Sequence, residues 1–347
     1  MQVFLVGPFA DVEIAAQVLG SGSAAVPATL DGSAGPDGLG VRPASAEAER
    51  RLDFYAAVHD AEISQGTVGG VPVSVVAPSA TALAGRRFDG EPSSERWRAI
   101  WREAAEEIVD CAGVQDAGTV RSRLGMIWAR AESRLRAREA PRRPPSGLDE
   151  SDIRMQSVER PYRKYFLVED YVYSHRRFDG GDSGSLVRAA FVMADAVTVL
   201  PWDPVRDRVL VIEQIRVSPI ARHDPSPWVL EPIAGRIEPG DTPEATAHKE
   251  AAEEARLSLS AVHKIAEYYP STGAFSEYIY AYLGIADLPD DAAQLGGLDV
   301  EGEDIRGHVM SRDALRERIA AGDVPVGPLI LSAWWLDANA DRLRGSG

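Results

Sequence analysis

Cysteine is almost absent. Cys111 stands alone in 347 residues, so no disulfide can close within the chain, as suits a reducing compartment. Basic residues are scarce beside acidic ones, 37 against 53, for a formal net charge of −16. That balance argues against a nucleic-acid binder, which relies on a basic face. An anionic substrate would need divalent cations or a local arginine to be held here. No apolar run reaches the roughly 18 residues of a membrane helix. The opening MQVFLVGPFADVEIAAQVLG lacks a basic lead-in and meets Asp11 and Glu13 early, so it is a poor signal peptide. The six histidines include no H-E-x-x-H, which speaks against a zinc hydrolase. Gly181-Asp182-Ser183-Gly184-Ser185 lacks the closing glycine of a serine nucleophile elbow. Gly20-Ser21-Gly22-Ser23 follows a helical pattern instead of a strand and is no dinucleotide fingerprint. The expectation is a cytoplasmic protein with no nucleic-acid or membrane partner.

What is present is globular: 45% hydrophobic and 26% charged residues, in a length comfortable for two domains. Val3-Phe4-Leu5-Val6 reads as a short strand, Val12 to Leu19 as a helix, residues 20–45 as short strands and loops. Arg50 to Val58 is a helix and Val71 to Val76 a strand closed by Pro78. Trp97, Ile100, Trp101, Ala104, Ala105 and Ile108 recur at helical spacing, and a second helix runs from Val120 to Arg138. Ala140-Pro141-Arg142-Arg143-Pro144-Pro145-Ser146-Gly147 is the clearest linker, since its prolines remove helix donors and extend the chain. Strands follow at 165–168, 171–173, 190–193, 196–200 and 209–213, the last two joined by the turn Asp203 to Asp207. A helix from Thr242 to Leu257, strands at 265–269 and 279–283, and a helix at 329–338 complete an α/β (α+β) chain. The organisation read is a first domain over 1–139, a linker over 140–154 and a second domain over 155–347.

Two short runs nearly repeat: REAAEE at Arg102 to Glu107, and KEAAEE at Lys249 to Glu254. At 3.6 residues per turn, Glu250, Glu253 and Glu254 share one helix face and repel one another, a repulsion that a hard divalent cation removes. E-x-x-E-E is also common on solvated helices, so context decides. From Gly235 to Leu257 the chain reads GRIEPGDTPEATAHKEAAEEARL. This closely resembles the Nudix hydrolase signature G-x5-E-x7-R-E-U-x-E-E-x-G-U, with its spacing kept. Asp241 stands for the signature Glu, Lys249 for its Arg and Arg256 for its second Gly. If position 256 requires a left-handed backbone, the arginine costs on the order of 1 kcal/mol there. The first copy has Phe88 and Ser94 where the signature has Gly and Glu, so Glu103, Glu106 and Glu107 are read as a solvated face.

The flanks Val211-Ile212-Glu213-Gln214-Ile215-Arg216, Trp228 to Gly235, Pro270 to Glu277 and Glu301 to Arg306 are similar to the ADP-ribose pyrophosphatase subfamily, over about residues 160–340. The resemblance implies a Nudix α/β/α sandwich hydrolysing ADP-ribose to AMP and ribose 5-phosphate with Mg²⁺, for which Mn²⁺ substitutes. It implies the Ala234 carbonyl, Glu250 and Glu254 as ligands of one ion, and Glu253, Glu254 and Glu303 as ligands of others. Glu301 matches the loop glutamate that takes the proton from water, and with Glu253 it is the catalytic assignment. Arg216 matches a substrate-gripping arginine whose fork suits phosphate; a surface pair with Glu213 is the alternative. Arg188 and Glu277 are further substrate candidates. The subfamily commonly forms homodimers, which makes a homodimer the expectation. Another nucleotide sugar such as GDP-mannose, or a non-catalytic nucleotide sensor, are the rival readings.

Residues 3–76 resemble, more faintly, the gamma-glutamylcyclotransferase-like fold, through Phe4 to Phe9 and Arg51-Leu52-Asp53-Phe54-Tyr55-Ala56. That implies a smaller α/β barrel with a helical extension. Its acid is missing, because neither Tyr55 nor Ala56 is a carboxylic acid, so a binding or structural module is expected. Tandems of this kind are associated with tellurite resistance.

Overall fold

The computed structural model describes residues 3–31, 37–79, 95–140, 144–297 and 302–344. Glu301, Phe88, Ser94 and residues 141–143 of the linker read from the sequence lie outside them. The chain divides into two compact units, one of 1–154 with 175–183, the other of 155–174 with 184–347.

The first unit runs β1 (Val3–Leu5), α1 (Val12–Leu19), β2 (Ala24–Thr29), β3 (Asp37–Arg42), α2 (Ala46–Val58), β4 (Ala61–Val68), β5 (Val71–Pro78), α3 (Glu95–Val109), α4 (Ala117–Arg121) and α5 (Leu124–Glu139). Asp11 and Ser45 cap α1 and α2 by accepting from N–H groups of the first turn. The strands form one sheet in the order β2-β3-β1-β5-β4, with β1 parallel to β5 and antiparallel to β3.

This corrects the barrel expectation: among the described residues there is no closed barrel. A barrel needs a ladder between the first and last strands. Here β2 and β4 are both edges, tied at one end through Asp31, which bonds Thr67, Gly69 and Gly70. The helices cover the sheet with Ile14, Val18, Leu52, Trp97, Ile100, Trp101, Ile108 and Trp128. Phe9, Tyr55, His59 and Trp101 interlock there, with His59 stacked on Trp101 at 4.3 Å. Tyr55 and Ala56 are both buried.

The solvated face read at 102–107 also needs correction. Glu107 is buried and forked by Arg130 of α5, whose Nε donates at 3.2 Å. Glu103 is half-buried and pairs with Arg138 and Arg134. Only Glu106 of the three is exposed. The apolar stripe of α3 is wide enough to take Glu107 inside, and α5 answers with arginines.

The second unit contains most of β6 (Ile153–Arg163) and β7 (Leu167–His175), then β8 (Leu186–Val192), β9 (Ala196–Asp203), β10 (Arg208–Ile215), α6 (Val217–Arg222), β11 (Trp228–Glu231) and β12 (Ile233–Arg236). After them come α7 (Pro243–Ala255), β13 (Ala261–Tyr268), β14 (Ile279–Ile285), β15 (Leu295–Gly296), β16 (Ile305–Ser311), α8 (Arg312–Ala321) and α9 (Gly327–Arg344). Strands β6-β7-β8 make a three-stranded sheet. The larger sheet runs β13-β14-β9-β10-β16-β15, with β11 added on β10 and β12 on β9.

Period-two alternation sorts its side chains. Val197, Val199, Leu210 and Ile212 meet α7 through Ala247, Ala251 and Ala255. Leu200, Trp202, Val209 and Val211 meet α8 and α9 through Leu315, Leu329, Ala333 and Leu336. Each such buried aliphatic contributes roughly 1.5–3 kcal/mol. The result is the helix–sheet–helix sandwich expected for this half.

Candidate active site

The small alanines of α7 let it lie close on the sheet, and this carries its acids inward. Thr242 caps the helix, its hydroxyl accepting from the Ala245 N–H at 3.1 Å, with Pro243 at the first position. The helix stops at Arg256, which is left-handed with φ 54° and ψ 31°. The conditional cost raised for this arginine therefore applies.

Glu254, in the last turn, is buried, and its Oε2 accepts from the Ala234 N–H of β12 at 3.0 Å. Its carboxyl is pushed up to about 8, first by burial and then by the charges of Glu250 and Glu303; the Ala234 N–H and Arg216 oppose this. Gly235 makes room for Glu250: a Cβ there would stand 2.0 Å from Glu250 Cδ. The glycine is required for close approach.

Arg216 directly follows β10, and its backbone N–H donates to the Pro227 carbonyl at 2.9 Å. Its Nε and Nη2 donate to Glu231 Oε1 and Oε2 at 2.7 and 2.9 Å. Burial acts against its charge, but the Glu231 hydrogen bonds and the charges of Glu231, Glu254 and Glu303 outweigh it and raise its pKa. The Glu213 pairing does not form; Glu213 Oε2 instead accepts from His308 Nε2 at 2.7 Å, on the opposite face of the strand.

Glu277 is half-buried, and burial first, then Asp195, raises its pKa while Arg216 lowers it. Tyr268 lies beside it, its hydroxyl pushed up to about 12 by burial and by Glu277. Ala234, Glu250, Glu254, Glu303, Arg216 and Glu277 are thus brought into one electrostatic neighbourhood. Glu253 is half-buried on the same helix. Arg188 is exposed on β8, in the separate three-stranded sheet, with Nη1 donating to its own neighbour Val187 at 2.7 Å. Glu301 lies outside the described residues.

Three participants escaped the sequence reading. Glu231 was legible only as context for the glycine that follows it. Asp195 is buried immediately before β9. Gln214 is buried on the same strand face as Ile212 and Arg216, its Nε2 without a partner. A buried amide left without a bond costs about 1–3 kcal/mol.

Among the described residues, no group of three or more His, Cys, Asp or Glu is gathered tightly enough to hold a metal ion. The donor chemistry nonetheless fits a hard divalent cation. A buried carboxyl raised by two neighbouring acids gains from one, and Mg²⁺ characteristically uses one or two carboxylates, with water and substrate phosphate completing its shell.

A NUDIX domain model matches residues 193–330. The ADP-ribose pyrophosphatase of Escherichia coli (strain K12) is 35% identical over 202 residues, which cover 58% of this chain and 95% of that protein. The ADP-ribose pyrophosphatase of Haemophilus influenzae is 31% identical over 203 residues, covering 57% and 92%. The GDP-mannose pyrophosphatase of Escherichia coli O139:H28 is 29% identical over 175 residues, covering 50% and 90%.

Proposed function

Because this chain belongs to the Nudix family, we propose that it hydrolyses the pyrophosphate of ADP-ribose to AMP and ribose 5-phosphate. The observation that carries the reading is Glu254 of α7, buried within the influence of the charges of Glu250, Glu303 and Arg216. Such a site is short of positive charge and receptive to a divalent cation with a bound diphosphate.

Family membership implies a divalent metal, Mg²⁺ with Mn²⁺ as substitute. The Ala234 carbonyl, Glu250 and Glu254 would hold one ion, and Glu253, Glu254 and Glu303 others. When bound, the ions neutralise the diphosphate and make phosphorus more electrophilic. The protein's own groups do the rest. Arg216 grips the diphosphate, while Glu277 and Arg188 contact the remainder of the substrate. Glu301 takes the proton of the water whose oxygen bonds to phosphorus as the P–O bond to the bridging oxygen breaks. The first unit is assigned no turnover of its own: the position that would supply its acid is buried Tyr55 or Ala56.

A homodimer is proposed as well. Met155 and Val187 of the three-stranded sheet are exposed apolar side chains that a second copy would cover. The single cysteine supports a cytoplasmic setting, and among the described residues no helix is long and apolar enough to cross a membrane.

The second reading, another nucleotide sugar, draws on the similarity to GDP-mannose pyrophosphatase. Product analysis with Mg²⁺ across ADP-ribose, GDP-mannose and NADH separates them. AMP with ribose 5-phosphate, formed fastest from ADP-ribose, supports the first reading; preferential release of GMP from GDP-mannose replaces it with the second.

A further inference from the structure

The Arg216 fork that would suit phosphate is already taken. Nε and Nη2 are both bonded to Glu231, in the parallel two-bond arrangement that is geometrically strongest for arginine and carboxylate. Glu231 is 8% exposed, while the Arg216 side chain remains 42% exposed. Among the described residues, Nη1 has no hydrogen-bond partner. The edge of the guanidinium made by Nη1 and the outer Nη2 N–H is therefore the one open to a ligand.

We infer that Glu231 is a positioning residue: it fixes Arg216 so that this second edge, and not the Nε edge, is presented to the diphosphate. The inference rests on the proposed hydrolase reading and deepens it.

Two physical effects follow from the pair. The first is entropic. A free arginine side chain samples many rotamers, and the Glu231 bonds remove that freedom before substrate arrives. The second is electrostatic. Arg216 already feels Glu254 and Glu303. Released from Glu231, the guanidinium would turn onto those carboxylates and compete with a cation for them. Glu231, paired with Ile212 across β10 and β11, holds the positive charge near these acids without letting it neutralise them. The backbone bond from Arg216 N–H to Pro227 fixes the base of the side chain, so Glu231 has only its outer half to orient.

The test uses the full chain with Mg²⁺ and four variants: Glu231→Gln, Glu231→Asp, Arg216→Ala and the double variant Glu231→Gln/Arg216→Ala. Glu231→Gln keeps the shape and loses the second acceptor. Its KM is expected to rise about tenfold with kcat within about threefold, the pattern of lost ground-state binding. Glu231→Asp should recover part of the KM. The Glu231→Gln effect should vanish in the Arg216→Ala background, because one partner is then already gone. A lower or unchanged KM in Glu231→Gln overturns the inference, since Glu231 would then compete with the phosphate or be idle. An undiminished effect in the double variant overturns it too.

If the wild type hydrolyses no nucleoside diphosphate sugar, the hydrolase reading fails separately. Calorimetric binding of ADP with Mg²⁺ to wild type and Glu231→Gln still reads the clamp: about tenfold weaker binding in the variant is required. Arg216→Lys, which keeps the charge without the fork, covers a failure of Glu231→Gln to fold; it must lose affinity likewise, and unchanged affinity overturns the inference.

Discussion

Two helices of this molecule carry nearly the same six letters, REAAEE at 102–107 in α3 and KEAAEE at 249–254 in α7, and in each the last glutamate is buried. Their fates differ because their partners do. Glu107 meets Arg130, and Glu103 meets Arg138 and Arg134, so α3 and α5 are stapled by neutralised pairs. Glu254 meets one backbone N–H and two further acids, with a shared arginine already bonded to Glu231. An acid run surrounded by arginines is structure; the near-identical run set among further acids is the one proposed to take a cation.

Changing one residue at a time should separate these roles. The largest effect is expected at Glu107→Ala, which strands Arg130 in the core. About 3–5 kcal/mol of folding stability should be lost in denaturant titration, with kcat of the folded protein unchanged. Glu254→Gln should leave the fold intact and lower kcat by about 100-fold or more in steady-state assays, as loss of a metal-ligating carboxylate does.

The pH dependence of the metal-free protein sharpens the contrast. Folded Glu254 titrates near 8 against an ordinary 4.5, so its neutral form favours the fold. That contribution is whole below about 4.5 and is lost as the pH rises through 8. Melting curves should show a decline over this window that Mg²⁺ or Glu254→Gln flattens. Gly235→Ala pushes Glu250 aside and should weaken Mn²⁺ binding about tenfold by titration calorimetry. Smallest of all, Arg256→Gly relieves a left-handed arginine and should raise stability by about 1 kcal/mol in denaturant titration.

Much of this was legible because the relevant signals are local. The strands β9, β10 and β14 are rich in Val, Ile and Leu, and α7 begins at a threonine followed by proline, so their positions can be read from neighbouring letters. Strand β6 was missed because Arg154, Gln156, Glu159 and Arg160 give it no apolar face; six of its first seven residues are exposed. Strand β16, IRGHVMS, carries a glycine and a histidine that mask its alternation.

Long-range partnerships are the illegible part. Arg130 lies 23 residues beyond Glu107, and Glu231 lies 15 beyond Arg216, and nothing in the spacing announces either pair. The barrel expectation failed for a related reason: motifs near Phe4 and Leu52 speak to one strand and one helix, while closure depends on whether β2 and β4 pair.

The claim on which the account turns is that α7, and not α3, holds the cation. Mn²⁺ titration of the full chain at pH 7, in two buffers of different ionisation enthalpy, measures both binding and proton release. Wild type and Glu106→Gln should bind Mn²⁺ and release protons as Glu254 ionises, and Glu254→Gln should lose both signals. Equal Mn²⁺ affinity in Glu254→Gln and wild type would contradict it.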